Sequence, residues 1–165
     1  MNSKSTVTLK KLVMAALFAA LACVATMSIK IPTPGTSGYI HPGDAIVILA
    51  GVVLGPAWGF LAGGIGSAMA DLLGGYFVYV PITFVIKGLV SLCSALLYRK
   101  VGKNSKSRYT AVILGGVADI ILVAGGFASV PANLVQGIGG LVLSAVLYPI
   151  LIAIPDVKQT ALANL

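Results

Sequence analysis

Six apolar runs, separated by short turns rich in glycine and proline, fill most of this sequence and leave little room for charge. Only 9% of its 165 residues are charged, against about a quarter in an ordinary soluble domain. Such a chain cannot cover a water-facing surface, and a soluble enzyme is excluded. A helix crossing a bilayer needs about 20 apolar residues, so six crossings would use about 120 and leave only short loops. The sequence therefore predicts an all-α integral membrane protein, a single domain over 1–165 with six transmembrane helices.

The runs and their breakers place those helices at about 9–29, 44–54, 57–73, 81–98, 109–125 and 131–154. Asp44 opens the second, where its carboxylate can cap free backbone amides. Gly55-Pro56 separates the second from the third, and Pro81 and Pro131 suit the first turns of the fourth and sixth. The N-terminal stretch, basic and then apolar, has the look of a signal peptide, and Leu21-Ala22-Cys23 that of a lipoprotein site. Cleavage there would still leave several spans, so it is read as the first crossing.

Eleven basic residues face four acidic ones. Lys4, Lys10 and Lys11 precede the first run, Arg99, Lys100, Lys103, Lys106 and Arg108 crowd one loop, and Lys158 lies in the tail. Basic residues beside membrane segments mark the cytoplasmic side. With both termini inside, nine of the eleven lie there; Lys30 falls outside and Lys87 within a span. The positive charge thus reads as a topology signal facing the lipid bilayer, not as a nucleic-acid surface, since aromatic RNA-binding motifs are absent. Cys23 and Cys93, both in apolar runs, support neither a disulfide framework nor a metal site.

Small residues recur every fourth position. Helix one carries Ala15/Ala19 and Ala16/Ala20, helix three Gly59, Gly63, Ser67 and Asp71, and helix six Gln136, Gly140, Ser144 and Tyr148. Such stripes let helix backbones approach closely. In helices three and six they predict internal packing. The alanines of helix one cover more of its circumference than one neighbour needs, which leaves open packing within the chain or docking of another membrane protein.

No phosphate loop and no nucleophile–histidine set is present: Gly102-Lys103-Asn104 lacks the required glycine and hydroxyl, and His41 is the only histidine. The polar residues that remain gather at outer or middle depth: Lys87, Asp119, Asn133, Gln136 and Asp71, with Tyr39, His41, Tyr76, Phe77 and Tyr79 in outer loops. Ionisable groups at that depth must pair or face a cavity. Lys87 and Asp119 either lock two helices together or surround a polar solute. The tyrosines either close over a flat ligand or anchor at the headgroups. The inner helix halves are almost wholly apolar, which suits a closed outer pocket better than a pore.

Four stretches carry a family resemblance. They are Gly38-Tyr39-Ile40-His41-Pro42-Gly43-Asp44-Ala45, then Leu54-Gly55-Pro56, then the glycine-rich run 63–76 ending Asp71-Leu72-Leu73-Gly74-Gly75-Tyr76, and Ile86-Lys87-Gly88. Together they resemble the substrate-binding S components of energy-coupling factor (ECF) vitamin transporters, most of all those for hydroxymethylpyrimidine or pyridoxine-like precursors. The resemblance implies a multi-pass protein of the bacterial plasma membrane that binds its vitamin in an outward pocket. It further implies a transmembrane T component docking on Ala15, Ala16, Ala19 and Ala20. Two ATPases would consume ATP-Mg, and this chain would hold no cofactor. Helix five departs from an aromatic-rich pattern of several relatives, having Gly115-Gly116-Val117-Ala118-Asp119 instead. Two other readings stand beside this one: a stand-alone secondary transporter, which should show inverted repeats, and a structural membrane protein without a ligand.

Overall fold

A computed structural model describes the backbone of residues 3–29, 31–32, 39–126 and 130–165, and the side chains of 8–29, 41–123 and 133–165. The chain runs α1 (Ser3–Ser28), β1 (Ile31–Pro32), β2 (Tyr39–Ile40), α2 (Gly43–Leu54), α3 (Pro56–Leu73), α4 (Val80–Val101), α5 (Ser105–Gly126), α6 (Val130–Ile152) and α7 (Pro155–Leu162). Each apolar run is a helix. Two features depart from the sequence reading. The first long loop contains a two-residue antiparallel pair, Ile31 opposite Ile40. The sixth helix stops at Ile152, and Pro155 starts a separate short helix. Proline has no N–H to continue the ladder and suits a first turn instead.

Among the described residues, Thr8–Ser28, Val80–Val101 and Asn133–Ile152 are long and apolar enough to cross a membrane. By contrast, α2 has only 12 residues, about 18 Å of helix, well short of the roughly 30 Å hydrocarbon core. It is also apolar on every side and buried at every position except Ile46. A helix hydrophobic all round belongs in an interior, and α2 is the axis on which α1, α3, α4, α5 and α6 pack.

Between helices in lipid, close packing replaces the hydrophobic drive, and the small residues serve it. On α3, a side chain at Gly59 would meet the Gly51 Cα at 2.7 Å, and one at Gly66 would meet the Ala19 carbonyl at 2.5 Å. The same helix thus approaches α2 on one side and α1 on the other. The α6 stripe faces inward as expected: Gln136, Gly140, Ser144 and Tyr148 are all buried, and the Tyr148 hydroxyl lies 3.1 Å from that of Tyr98. The two alanine pairs of α1 divide. Ala15 is buried and Ala19 half-buried against Gly66 of α3, whereas Ala16 and Ala20 are exposed beside Val13, Leu17, Leu21 and Val24. Outward apolar side chains continue on α3 (Leu61, Ile65), α5 (Val117, Ile121) and α6 (Val142, Val146, Ile150).

The two ends of the bundle differ. At the end holding the basic loop, Gly55 turns α2 into α3 at φ +83°, a conformation glycine alone adopts without strain. There α7 closes beneath α2: Asn164 Nδ2 donates to the Val53 carbonyl at 2.8 Å, and Lys11 donates to Asn164 Oδ1 at 3.2 Å. Lys10 pairs with Asp156 at 2.5 Å and donates to Gln159 at 3.2 Å. The opposite end gathers the first turns of α2, α4 and α6 with the last turns of α1, α3 and α5. The polar residues collect there.

Candidate functional site

Lys87 lies seven residues into α4, about 10 Å of helix from its start. Its Nζ is 2.5 Å from Asp44 Oδ1 on α2 and 3.4 Å from Asp119 Oδ1 on α5. Asp44 is 1% exposed, Asp119 0% and the Lys87 side chain 12%. Three helices distant in sequence thus share one buried ion cluster. From α6, Gln136 Nε2 donates to Asp44 Oδ2 at 2.9 Å and to the His41 carbonyl at 3.2 Å, while its Oε1 accepts from the His41 N–H at 2.9 Å. That one amide ties the entry to α2, the ion cluster and α6 together.

Glycines bring these elements within reach. A side chain at Gly140, one turn after Gln136, would meet Asp44 Cβ at 2.8 Å and Asp119 Oδ2 at 3.4 Å. One turn before Asp119, a side chain at Gly115 would meet Ser94 Oγ at 2.7 Å, and one at Gly116 would meet Leu141 Cβ at 2.7 Å. The glycines of helix five therefore draw α4 and α6 inward and deliver Asp119 to the interior.

The two carboxylates are satisfied unequally. Asp44 places Oδ1 in the ion pair with Lys87, where it makes no regular hydrogen bond, and its Oδ2 accepts from Gln136. Asp119 holds only the longer contact to Lys87, and its buried Oδ2 has no hydrogen-bond partner among the described residues. Two formal negative charges face one positive charge. Removing ions from water costs several kcal/mol each even after relaxation, so the cluster needs every partner it can hold.

Lys87, Asp119, Gln136 and His41, expected from the sequence, do come together. Asn133 does something else: its amide donates to the Val123 carbonyl at 3.2 Å, tying α6 to α5. Asp71 sits half-buried at the end of α3, and its carbonyl accepts from the Tyr76 N–H at 2.8 Å. Tyr76 and Tyr79 stand exposed on the α3–α4 turn, outside the buried cluster. Lys30 and the Tyr39 side chain lie outside the described residues. The expected cap at Asp44 is corrected: Pro42 holds the cap position with no side-chain hydrogen bond, and the Asp44 carboxylate turns to Lys87. In a water-poor interior a nearby ammonium outweighs an amide as partner. The available signal was an acid heading a helix otherwise apolar on all sides, which has to find a cation.

The fold is thus a shell of apolar helices around a short buried helix, with a polar cluster near one end. Residues 6–153 match the family model described as the ECF-type riboflavin transporter, S component, and the chain belongs to that family of vitamin-transport components. A Pyrococcus woesei protein, described as an uncharacterized protein in a gap 3′ region, is 39% identical over 121 residues, 72% of this chain and 76% of that one. The crystal structure of an S-component for biotin from an ECF-type ABC transporter has the same fold. Its TM-score is 0.60 at 16% identity, covering 99% of this chain and 92% of that one.

Proposed function

We propose that this chain captures a small water-soluble vitamin or vitamin precursor, of hydroxymethylpyrimidine or pyridoxine type, and presents it for ATP-driven uptake. In this reading the chain passes the plasma membrane six times, the short α2 making its pass inside the bundle rather than against lipid; both termini are cytoplasmic, and the Asp44–Lys87–Asp119–Gln136 end faces out. That cluster, buried on four helices at the end remote from the basic loop, is the observation that carries the proposal. A flat ring bearing amino and hydroxyl groups suits it: carboxylates accept, the Lys87 ammonium donates and the Gln136 amide does both. Burial excludes water from these partners and strengthens each contact. Riboflavin is the second reading, favoured by the wording of the matching family model.

The chain drives nothing by itself. A T component and two ATPases supply ATP-Mg hydrolysis, and this chain carries no cofactor. The T component docks on α1, where Ala16 and Ala20 leave a shallow exposed face that permits close helix approach. Affinity capture of the tagged chain from its native membrane tests the assignment. A T component and two ATPases should come with it. ATP-independent uptake by the chain alone in proteoliposomes would instead make it a secondary transporter.

A further inference from the structure

The imbalance at Asp119 bears on what kind of ligand the site takes, provided the cluster is the vitamin site proposed above. Three observations combine. Lys87 is nearer Asp44 than Asp119, at 2.5 Å against 3.4 Å. Asp44 Oδ1 makes no regular hydrogen bond but sits in the close ion pair with Lys87, and its Oδ2 accepts from Gln136, whereas Asp119 Oδ2 is fully buried with neither an ion-pair nor a hydrogen-bond partner among the described residues. And Gly140, having no side chain, adds no bulk beside that oxygen, to which a Cβ would come within 3.4 Å.

From these we infer that Asp119 is the ligand-reading carboxylate, and that the site selects a heteroaromatic cation or N–H-rich ring edge over any anionic ring. An exocyclic amino group beside a ring nitrogen able to take up a proton from solvent offers two parallel N–H donors. A carboxylate accepts such a fork with both oxygens. The added positive charge balances the second carboxylate, so the occupied cluster is formally neutral. Lys87 then pairs with Asp44 rather than Asp119, as the shorter distance already favours, and keeps an N–H for the ring. An anionic ring carrying a carboxylate or phosphate would bring a further negative charge beside two aspartates, in a medium that screens poorly. The site therefore rejects phosphorylated and carboxylated relatives of its vitamin.

The test is equilibrium binding to the purified full-length chain in lipid nanodiscs with three flat probes of similar size. They are 4-amino-5-hydroxymethyl-2-methylpyrimidine, its counterpart with oxygen in place of the amino group, and nicotinate. A hydrogen bond to a charged partner is worth roughly 10-fold or more in affinity, so the aminopyrimidine should bind at least about 10-fold tighter than its oxo counterpart. Nicotinate should show no saturable binding. Asp119→Asn, nearly isosteric, should bring the amino and oxo probes to within about 3-fold of each other by removing the charge that reads the difference. Oxo or nicotinate binding equal to the amine, or an amine preference kept in Asp119→Asn, overturns the inference. If that variant does not fold, the ranking on the unaltered chain decides alone. A chain that captures its transporter partners yet binds none of the probes contradicts this inference and leaves the transporter reading standing. A chain that prefers the amine but captures no partners does the reverse.

Discussion

Among single residues, Lys87 carries the most. Among the described residues it is the lysine or arginine ion-paired with two buried carboxylates, and removing one partner of a buried pair typically costs about 3–5 kcal/mol. Lys87→Met should therefore lower the thermal unfolding midpoint in detergent more than any other single change in the cluster. Asp44→Asn should cost more than Asp119→Asn, because Asp44 holds the shorter contact and the Gln136 hydrogen bond as well. Equal losses for the two aspartates would contradict the asymmetry. Lys87 and Asp119 were legible in the sequence because ionisable residues inside apolar runs stand out. Asp44 was harder to place: at a helix start, an aspartate has an ordinary role as a cap, and only the fold brings Lys87 to it.

At the level of elements, α2 organises the rest, and its two ends are closed in different ways. The lower end depends on Asn164, which satisfies the Val53 carbonyl. Asn164→Ala should destabilise by about 1–3 kcal/mol, the cost of leaving a buried acceptor unpaired. Gly55→Ala should cost at least about 1–2 kcal/mol, since the φ of +83° forces a side chain into the left-handed region. Both are read by unfolding in detergent, and unchanged midpoints would mean that α7 and the α2–α3 turn do not hold α2. Helices α1 to α6 were readable from apolar runs and their breakers. The α7 helix was not: it has eight residues, half of them polar, and buries only Val157, Thr160 and Ala161. Nothing in such a stretch rises above a tail until α1 and α2 are in place to receive it.

For the whole molecule, the polarity between its ends and the face of α1 matter most. Clusters of lysine and arginine foretold which end is basic, but the two alanine pairs looked equivalent in sequence. Their separation depends on where α3 packs, a tertiary fact that spacing along one helix does not contain. Ala16→Trp with Ala20→Trp should abolish capture of the T component while leaving the unfolding midpoint within about 0.5 kcal/mol of the parent, as surface changes do. Ala15→Trp, at a buried position in the core, should destabilise the chain itself by about 1–3 kcal/mol. Capture that survives the outer pair would move the docking face elsewhere.

The central claim is that the buried cluster on α2, α4, α5 and α6 is the vitamin site of an S component. Native mass spectrometry of the purified chain, beside Asp119→Ala and Gln136→Ala, tests it most directly. The account predicts a small heteroaromatic adduct on the unaltered chain, lost or much weakened in both variants. An adduct of the same mass, held equally by all three proteins, would contradict it.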